Sequence, residues 1–538
     1  MFTTIPDFYQ DKCVFITGAT GFLGKTLLEK LLRSCPGIRR IYILIRPKKG
    51  KSVSQRLEEL LNSKIFETLK KENTDFRSKI GLITGDIVHD NLGISKNDEQ
   101  ALIDEVSVVF HSAATVRFDE ELKLAVEMNV LGVYRVIQLL KKFKHLQAFL
   151  HVSTAYGNCH KRTVEECIYD PPIHPHKLLD AVQWMDSDVL EILTPKMIGD
   201  RPNTYTYTKS IAEYLVKEEC ANIPTAIFRP SIVCATWNDP IKGWIDNYNG
   251  PTGIMASLGT GVLRVMRGDR RAVSDIIPVD MACSMMIAVA WYIGTHRSEE
   301  MKVFNCTTGS INSLTWGDMD RFLVFSSGWC VFRTIGFEST VLEDYTKRYS
   351  IKNPFNTVTR VPSLMFTKCV LWHDINVLFN QVLPSYLLDI YMWSTGKKPI
   401  FRKIEDRLRK ATATLAYFTN NDWEFRSDNL HMLLASMSPE DKQTFDFDPR
   451  NISWPSYIES YCLGIKCYVM KEELAELPRA RTTLKRLQRL RFATNTLFII
   501  VVWRILINRV TIARSMWNFL LHWVVKFFNC LPKIAKIT

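Results

Sequence analysis

Residues 14–30 read VFITGATGFLGKTLLEK, and this stretch decides the fold. Its first four residues predict a buried strand and its leucines the start of an amphipathic helix. Between them, Gly18 lets the chain turn sharply, Gly21 lets the backbone approach a pyrophosphate, and Gly24 lets the helix pack closely. The free amides at the helix N-terminus would face the phosphates. The stretch therefore predicts a nucleotide site, and a ligand-free strand-to-helix turn is the alternative.

A second apolar run, Ile41–Ile45, predicts the next strand of a βαβ unit. It is followed by Arg46, at the position where a carboxylate would bind the ribose 2′-hydroxyl of NAD. Arg46 and the lysines after it, Lys48, Lys49 and Lys51, instead suit the 2′-phosphate of NADP. The sequence therefore favours NADPH as cofactor, with a solvated basic loop as the alternative.

Three more apolar runs predict strands at residues 80–84, 106–110 and 149–152, and a long amphipathic helix is predicted from Glu121 to Lys144. Strands that alternate with helices in this way predict an α/β fold with a doubly wound parallel sheet. Ligands of such sheets bind at the carboxyl ends of the strands.

The carboxyl-end rule predicts that five residues lie along one edge of the sheet: Gly18, Arg46, Asp86, Ala113 and Thr154. The Asp86 carboxylate could accept a hydrogen bond from an adenine amino group, although capping a turn is an equal alternative. The small residues around Ala113 suit a backbone that passes close to a cofactor.

Tyr205 and Lys209 lie one helical turn apart in the sequence YTYTK, on one face of a predicted helix. An ammonium group there is expected to lower the pKa of the phenol and to reach the nicotinamide ribose. A tyrosine tuned in this way can serve as an acid or base at a carbonyl group. The pair follows a strand-end Ser153-Thr154, which makes a redox site the favoured interpretation.

The net charge of +13 over 538 residues is concentrated in the tail. From Arg479 onward there are twelve lysines or arginines and no acidic residue, which leaves 57 basic and 56 acidic residues before it. Because this tail is also apolar, it predicts a lipid membrane partner and not nucleic acid. The thirteen cysteines are scattered without a CxxC pair, so no metal site is predicted and the catalytic body is expected to face the cytosol.

Together these motifs resemble the extended short-chain dehydrogenase/reductase group and, within it, the fatty acyl-CoA reductases. The segments that carry the resemblance are TGATGFLG at 17–24, HSAATVRF at 111–118, HVSTAYGN at 151–158, PKMIGDRPN at 195–203, YTYTK at 205–209, FRPSIV at 228–233, GWIDNYNGPTG at 243–253, YFTNNDW at 417–423 and YIESYCLG at 457–464. The resemblance covers nearly the whole chain. It implies a Rossmann-type NADP-binding reductase domain (residues 1–350), a mainly helical C-terminal domain (351–478) and a hydrophobic membrane tail (479–538).

The resemblance also implies a reaction, the NADPH-dependent reduction of a long-chain fatty acyl-CoA to a fatty alcohol through an aldehyde, with release of CoA. By matched position, Tyr205 and Lys209 are the catalytic pair and Thr154 polarises the carbonyl, with Ser153 as the alternative. Asn129 matches a helix residue that organises a proton-relay water. The candidate cofactor-binding residues are Thr17, Gly18, Thr20, Gly21, Phe22, Leu23, Gly24, Arg46, Lys48, Asp86, Ile87, Ala113, Ala114, Val152, Tyr205, Lys209, Pro230 and Ile232.

Two other functions remain open from the sequence. One is an extended reductase of the same fold that acts on a sterol or a nucleotide-sugar. The other is a membrane-tethered nucleotide-binding protein without turnover. The sequence is also compatible with a homo-oligomer, and with attachment to either the peroxisome or the endoplasmic reticulum.

The C-terminal third contains three apolar segments. Residues 363–393 are interrupted by polar residues and by Pro384, which is expected to break the helix, so amphipathic helices that line an acyl tunnel or rest on a membrane are predicted. In the tail, residues 492–507 and 516–531 are apolar, and Arg504 and Lys526 interrupt them. One membrane span and a shallow hairpin are both compatible with this pattern.

Overall fold

The computed structural model describes residues 3–73, 75–296, 300–318 and 353–509, and beyond residue 509 only 511, 514–519, 522–523 and 526. Its centre is a parallel sheet of seven strands, which confirms the predicted α/β class. In chain order the strands are β1 (Cys13–Thr17), β2 (Arg40–Ile45), β3 (Ile80–Thr84), β4 (Val106–His111), β5 (Ala148–Val152), β6 (Thr225–Pro230) and β7 (Lys302–Cys306). Their spatial order is β7-β6-β5-β4-β1-β2-β3, so the order reverses beside β1 and β4. Ligands of doubly wound sheets bind at this reversal.

Helices cover both faces of the sheet, as continuous apolar strands require. Every residue of β1, β4, β5 and β6 is buried. The helices of this part are Ile5–Tyr9, Phe22–Ser34, Val53–Leu61, Glu67–Glu72, Lys96–Glu105, Leu122–Val126, Gly132–Leu140, Pro175–Trp184, Ser187–Ile198, Thr204–Glu219, Pro251–Gly259 and Val279–Thr295. The predicted helix at 121–144 is interrupted by a π-turn at Glu127–Leu131, which carries Asn129.

The region after residue 353 is mainly helical and packs into the same core. Its helices are Val370–Val377, Leu383–Ser394, Phe401–Asn420, Asp428–Ser436, Pro439–Thr444, Trp454–Gly464 and Leu477–Arg509. Two short parallel strand pairs join it to the first part of the chain, Glu424–Phe425 with Thr163–Val164 and Met365–Thr367 with Val265–Arg267. The predicted domain boundary near residue 350 lies outside the described residues, and the domain limits stay a prediction.

The expected helix break at Pro384 is wrong. The two helices on either side are continuous through a π-turn at Leu378–Val382, and Pro384 lies in the first turn after it. A wide turn there accommodates a residue that has no amide to donate. We refer to residues 370–394, with this π-turn, as the apolar helix.

The helix that begins the tail, Leu477–Arg509, is 33 residues long. With the short turn before it, it is long and apolar enough to cross a membrane, and its apolar stretch is not buried against the protein. Its first turns pack on the body through Ala480 and Leu484. The second apolar stretch of the tail lies mostly outside the described residues.

Candidate active site

The glycine turn after β1 has the geometry that its spacing predicts. Gly18 has a φ of +76°, and a Cβ there would lie 2.7 Å from the amide nitrogen of Ala113. A Cβ on Gly24 would lie 2.3 Å from the carbonyl oxygen of Gly18, so only glycine lets this helix start so close to the turn. Gly21 is the N-cap and makes no side-chain capping bond, which leaves the first amides of the helix for an anion. The turn therefore fits a dinucleotide pyrophosphate.

The ends of β1 and β4 are tied together beside this turn. The Thr17 hydroxyl and Nδ1 of His111 are hydrogen-bonded at 2.7 Å. Ser112 Oγ donates to the Thr17 carbonyl at 2.8 Å, and the Ala113 amide donates to Thr17 Oγ1 at 3.3 Å. These bonds hold Ala113, and with it Ala114, against the glycine turn.

Arg46 follows β2 and is exposed, as is Lys48. Arg56 donates to the carbonyl oxygen of Arg46, and burial, with a smaller contribution from the Arg46 charge, lowers the pKa of Arg56. Two guanidinium groups therefore lie close together at this edge, which suits a phosphate. Asp86 accepts from the Val88 amide at 3.4 Å, the turn-capping role that the sequence left open.

The other candidate cofactor residues lie around the same edge. Phe22 stacks on Trp244 with ring centroids 5.4 Å apart, and Leu23 accepts from the Cys283 thiol. Ile87 is buried against Gly132. Thr20 is half-buried in the turn. Beyond β6, Pro230 ends the strand, and the Ile232 amide donates to the Asp275 carbonyl at 3.2 Å.

Lys209 is buried on the helix Thr204–Glu219, which is capped by Asn203. Its Nζ donates to the carbonyl oxygen of Val152, the last residue of β5, at 2.8 Å. Burial lowers the pKa of the Lys209 ammonium to about 8, and the Glu213 carboxylate acts in the opposite direction. The lysine thus joins the helix to the sheet edge where the cofactor residues converge.

Tyr205 lies one turn before Lys209, as predicted, but its electrostatics differ from the prediction. Burial raises the pKa of the Tyr205 phenol to about 12, and a hydrogen bond with the Thr154 side chain opposes this rise. The expected lowering by Lys209 is not found, because burial of the phenol disfavours the phenolate more strongly than its surroundings favour it. A neutral phenol at physiological pH is suited to donate a proton.

The two hydroxyl candidates at the end of β5 differ in their partners. Thr154 contacts Tyr205, and its Oγ1 also accepts from the Tyr156 amide at 3.3 Å. The Ser153 hydroxyl is buried and has no hydrogen-bond partner among the described residues. The structure therefore brings Thr154, and not Ser153, to the phenol.

Asn129 is fully buried and bridges two parts of the site. Its side-chain oxygen accepts from the Thr115 amide at 2.9 Å. Its Nδ2 donates to the Thr115 carbonyl at 3.2 Å and to the Thr208 hydroxyl at 3.1 Å. Asn129 therefore fixes the loop after β4 against the helix that carries Tyr205 and Lys209.

Sequence reasoning missed a buried histidine pair under Lys209. His111 and His151 are partners in the register of β4 and β5, and their rings stack at 5.6 Å. Burial, with a smaller contribution from Lys209, lowers the pKa of both imidazoles, so both are neutral. The sequence did contain a signal for this pair, because a histidine lies at the end of each of two neighbouring predicted strands.

An ion pair that the sequence analysis also missed anchors the same helix. Arg229 of β6 binds Glu213 through two hydrogen bonds of 2.8 and 2.7 Å, and both side chains are buried. Arg229 belongs to the segment FRPSIV, but nothing in the sequence indicated its partner.

Aromatic side chains line the other side of Tyr205, and we refer to Phe118, Phe418, Trp423 and Tyr156 as the aromatic wall. The Phe118 ring lies 5.6 Å from the Tyr205 ring and 5.4 Å from that of Phe418. Phe418 and Trp423 in turn pack edge-on against Tyr156. The helical region thus contributes an apolar surface to the site, some 200 residues away in the sequence.

A parallel sheet in this order, with a glycine turn at the reversal and a Tyr-x-x-x-Lys helix at the strand ends, defines a nicotinamide-dependent reductase of the extended short-chain type. Two family models, both described as male sterility protein and the first of them NAD-binding, match residues 16–286 and 380–472.

Several fatty acyl-CoA reductases are similar to this protein over almost the entire chain. Fatty acyl-CoA reductase 1 from Mus musculus is 43% identical over 526 residues, the Homo sapiens protein of that name 42%, and fatty acyl-CoA reductase 2 from Mus musculus 40%, in each case over 98% of both chains. The chain belongs to the fatty acyl-CoA reductases.

Solved structures that resemble the fold include two reductase domains. The terminal R domain of the myxalamid biosynthetic pathway has a TM-score of 0.53, at 18% identity over 85% of this chain and 90% of that one. The R domain of a non-ribosomal peptide synthetase from Mycobacterium tuberculosis has a TM-score of 0.52, at 18% identity over 88% and 94%. At this identity the likeness shows the fold alone.

Proposed function

We propose that the protein reduces long-chain fatty acyl-CoA to fatty alcohol with NADPH, through an aldehyde, and releases CoA. The observation that carries this proposal is the convergence of Thr154, Tyr205 and Lys209 at the sheet edge, between a turn that fits a dinucleotide and a wall of aromatic side chains. The wall suits an apolar acyl chain. The names of the relatives support acyl-CoA as the substrate class.

Each residue of the site has a separate role in carbonyl reduction. A bound nicotinamide supplies hydride, and reduction of a thioester to an alcohol takes two. Tyr205 donates a proton to the carbonyl oxygen, and the Thr154 hydroxyl hydrogen-bonds the same oxygen as negative charge develops. Lys209, whose ammonium lies at the end of β5, would hold the ribose hydroxyls of the bound nucleotide. Asn129 positions the helix, and loss of the CoA thiol after the first reduction leaves the aldehyde.

Arg46 supports NADPH over NADH as the cofactor. Its guanidinium lies at the exposed end of β2, where the adenosine ribose of a dinucleotide binds in this fold. It lies beside Arg56, so a 2′-phosphate would meet two positive charges.

The tail helix supports attachment to a membrane with the catalytic body in the cytosol. Six basic residues lie between Arg479 and Arg491, before the apolar part of the helix, and basic flanks favour the cytosolic side. Peroxisome and endoplasmic reticulum both fit such an anchor.

A substrate panel tests the function. The full chain in detergent is incubated with palmitoyl-CoA or stearoyl-CoA and NADPH or NADH, and nucleotide oxidation, free thiol and lipid product are followed. We expect fatty alcohol, with two NADPH oxidised for each CoA released, and slower reaction with NADH. Turnover of a sterol or nucleotide-sugar alone would favour the other reductase assignment. Binding of NADPH without turnover of any thioester would favour the tethered binding protein.

A further inference from the structure

The apolar helix, residues 370–394, has its polar and apolar faces inverted relative to a helix at a water-facing surface. The side chains buried against the protein are Val377, Gln381 and Ser385, which are 7%, 4% and 7% exposed and four residues apart. Two of the three are polar. An amphipathic helix on a water-facing surface buries its apolar stripe instead.

The opposite face of the apolar helix is mainly hydrophobic, although it also carries Asp374, whose side chain is 67% exposed. Its large side chains are 39% to 74% exposed. They are Val370, Leu371, Trp372, Ile375, Leu378, Phe379, Leu383, Tyr386, Leu387, Ile390, Tyr391 and Trp393. A continuous apolar surface of this size on a folded protein marks a contact with another apolar phase or partner.

The polar stripe is committed to the protein, so rotation of the helix cannot correct the inversion. Gln381 Oε1 accepts from the amides of Arg264 and Val265, each at 2.8 Å. Its Nε2 donates to Glu405 of the following helix at 3.4 Å. Turning the apolar face inward would leave these buried polar groups without partners, which costs free energy.

Positive charge borders the apolar face. Residues 397–410, which connect to and begin the next helix, contain seven basic and two acidic residues, and the basic ones are exposed. Lys397, Lys398, Arg402 and Lys403 come directly after the apolar helix in the sequence. Exposed basic residues beside an apolar surface complement an anionic bilayer, whereas a second copy would bring like charges together.

The π-turn in the middle of the apolar helix lies near the first half of the tail helix. Arg360 donates to the Asn380 carbonyl at 2.8 Å, and Arg264 bonds to Gln381. Burial lowers the pKa of Arg264, and the charges of Arg360 and of Arg491 in the tail helix add to this effect. Arg491 directly precedes the apolar part of the tail, so the tail leaves the protein near the apolar helix.

We propose that the apolar helix is a second membrane contact, which lies along the surface of an anionic phospholipid bilayer beside the tail helix. The exposed apolar side chains enter the acyl boundary, and the basic residues of 397–410 bind lipid phosphates. The tail alone tethers the chain, whereas the second contact also fixes the orientation of the catalytic body on the membrane.

Hydroxyl-radical footprinting of the full chain tests this contact without introduced labels. The protein is placed at one chain per disc in nanodiscs of phosphatidylcholine, with or without phosphatidylserine, and oxidation of native side chains is read by mass spectrometry. Trp393 is the reporter and Trp184 its matched reference, since they are 74% and 72% exposed. We expect Trp393 to be oxidised several-fold less than Trp184 in the anionic discs.

A charge-reversed variant gives the control. The substitutions Lys397→Glu, Lys398→Glu, Arg402→Glu and Lys403→Glu lie on exposed positions and leave the tail anchor intact. We expect them to restore Trp393 oxidation in anionic discs, with an unchanged melting temperature. Equal oxidation of the two tryptophans in wild-type protein on anionic discs would overturn the proposal. So would protection that appears only when several chains share a disc, since it would identify a second copy as the occupant.

Discussion

The edge of the sheet and the apolar helix both bury polar side chains, but for opposite reasons. At the sheet edge, Thr17, Asn129 and Lys209 are buried because strand ends and a helix converge on a site that has to hold a charged ligand. In the apolar helix, Gln381 and Ser385 are buried because the other face carries the large apolar residues. In this protein, buried polar side chains mark the candidate active site only at the edge where the strand ends converge.

The largest effect of a substitution is expected at Tyr205, on the sheet edge. We predict that Tyr205→Phe lowers kcat for acyl-CoA reduction by about 10²- to 10⁴-fold, because the proton donor is lost, while NADPH binding is retained. Tyr207→Phe is the matched control, since the Tyr207 hydroxyl is buried without a hydrogen-bond partner among the described residues. Steady-state kinetics and nucleotide titration check both variants. Full alcohol production by Tyr205→Phe would refute its role.

A smaller effect is expected at the ribose end of the same edge. Arg46→Asp should weaken NADPH binding by about 10- to 100-fold, because a charge-assisted bond to phosphate is replaced by repulsion, and leave NADH binding little changed. Lys49→Asp is the control for loop charge. Comparable losses for both nucleotides, or equal losses in the two variants, would remove the specific assignment to Arg46.

In the apolar helix, we expect substitution of a buried polar residue to destabilise the protein more than substitution of an exposed apolar residue. Gln381→Leu is expected to lower the free energy of unfolding by about 1–3 kcal/mol, because two backbone amides lose their acceptor. Ile390→Ser, at a position 60% exposed, should change it by less than about 0.5 kcal/mol in detergent. Denaturant melts of the full chain measure both. A larger loss from Ile390→Ser would mean that the apolar face is packed against protein.

Per pH unit, the smallest expected effect is a pH dependence of stability set by Lys209. Burial lowers the pKa of Lys209 from the ordinary 10.5 to about 8, so between these values the unfolded state binds more protons than the folded state. Stability should therefore rise with pH in this window, by at most about 1.4 kcal/mol per pH unit, and Lys209→Met should lack this rise. Reductase activity of the wild type should instead decline above pH 8. Parallel melts of the two proteins from pH 7 to 10 would contradict the assignment if their difference stayed constant.

The sequence predicted the parts of the molecule whose geometry depends on near neighbours. The positive φ at Gly18, the position of Arg46 after a strand and the single turn between Tyr205 and Lys209 all follow from local spacing. Phe418 reaches the Phe118 ring only because the helical region folds back over the sheet, and no local pattern indicates that contact.

Electrostatic behaviour at the site was less predictable for a related reason. The sequence places a lysine near a tyrosine, but burial of both groups determines the direction of each pKa shift, and burial is a property of the assembled fold. Likewise, the apolar composition of residues 363–393 was visible, but the side on which Gln381 would lie was not.

The exposed face of the apolar helix also bears on how the protein can be handled. Because that surface belongs to the folded body and not to the tail, deleting the tail helix would leave a dozen large hydrophobic side chains in water. Such a truncated form would be expected to aggregate in plain buffer at concentrations suited to crystallisation. Solubility would come from substitutions such as Leu387→Ser and Trp393→Ser, or from detergent, more readily than from shortening the chain.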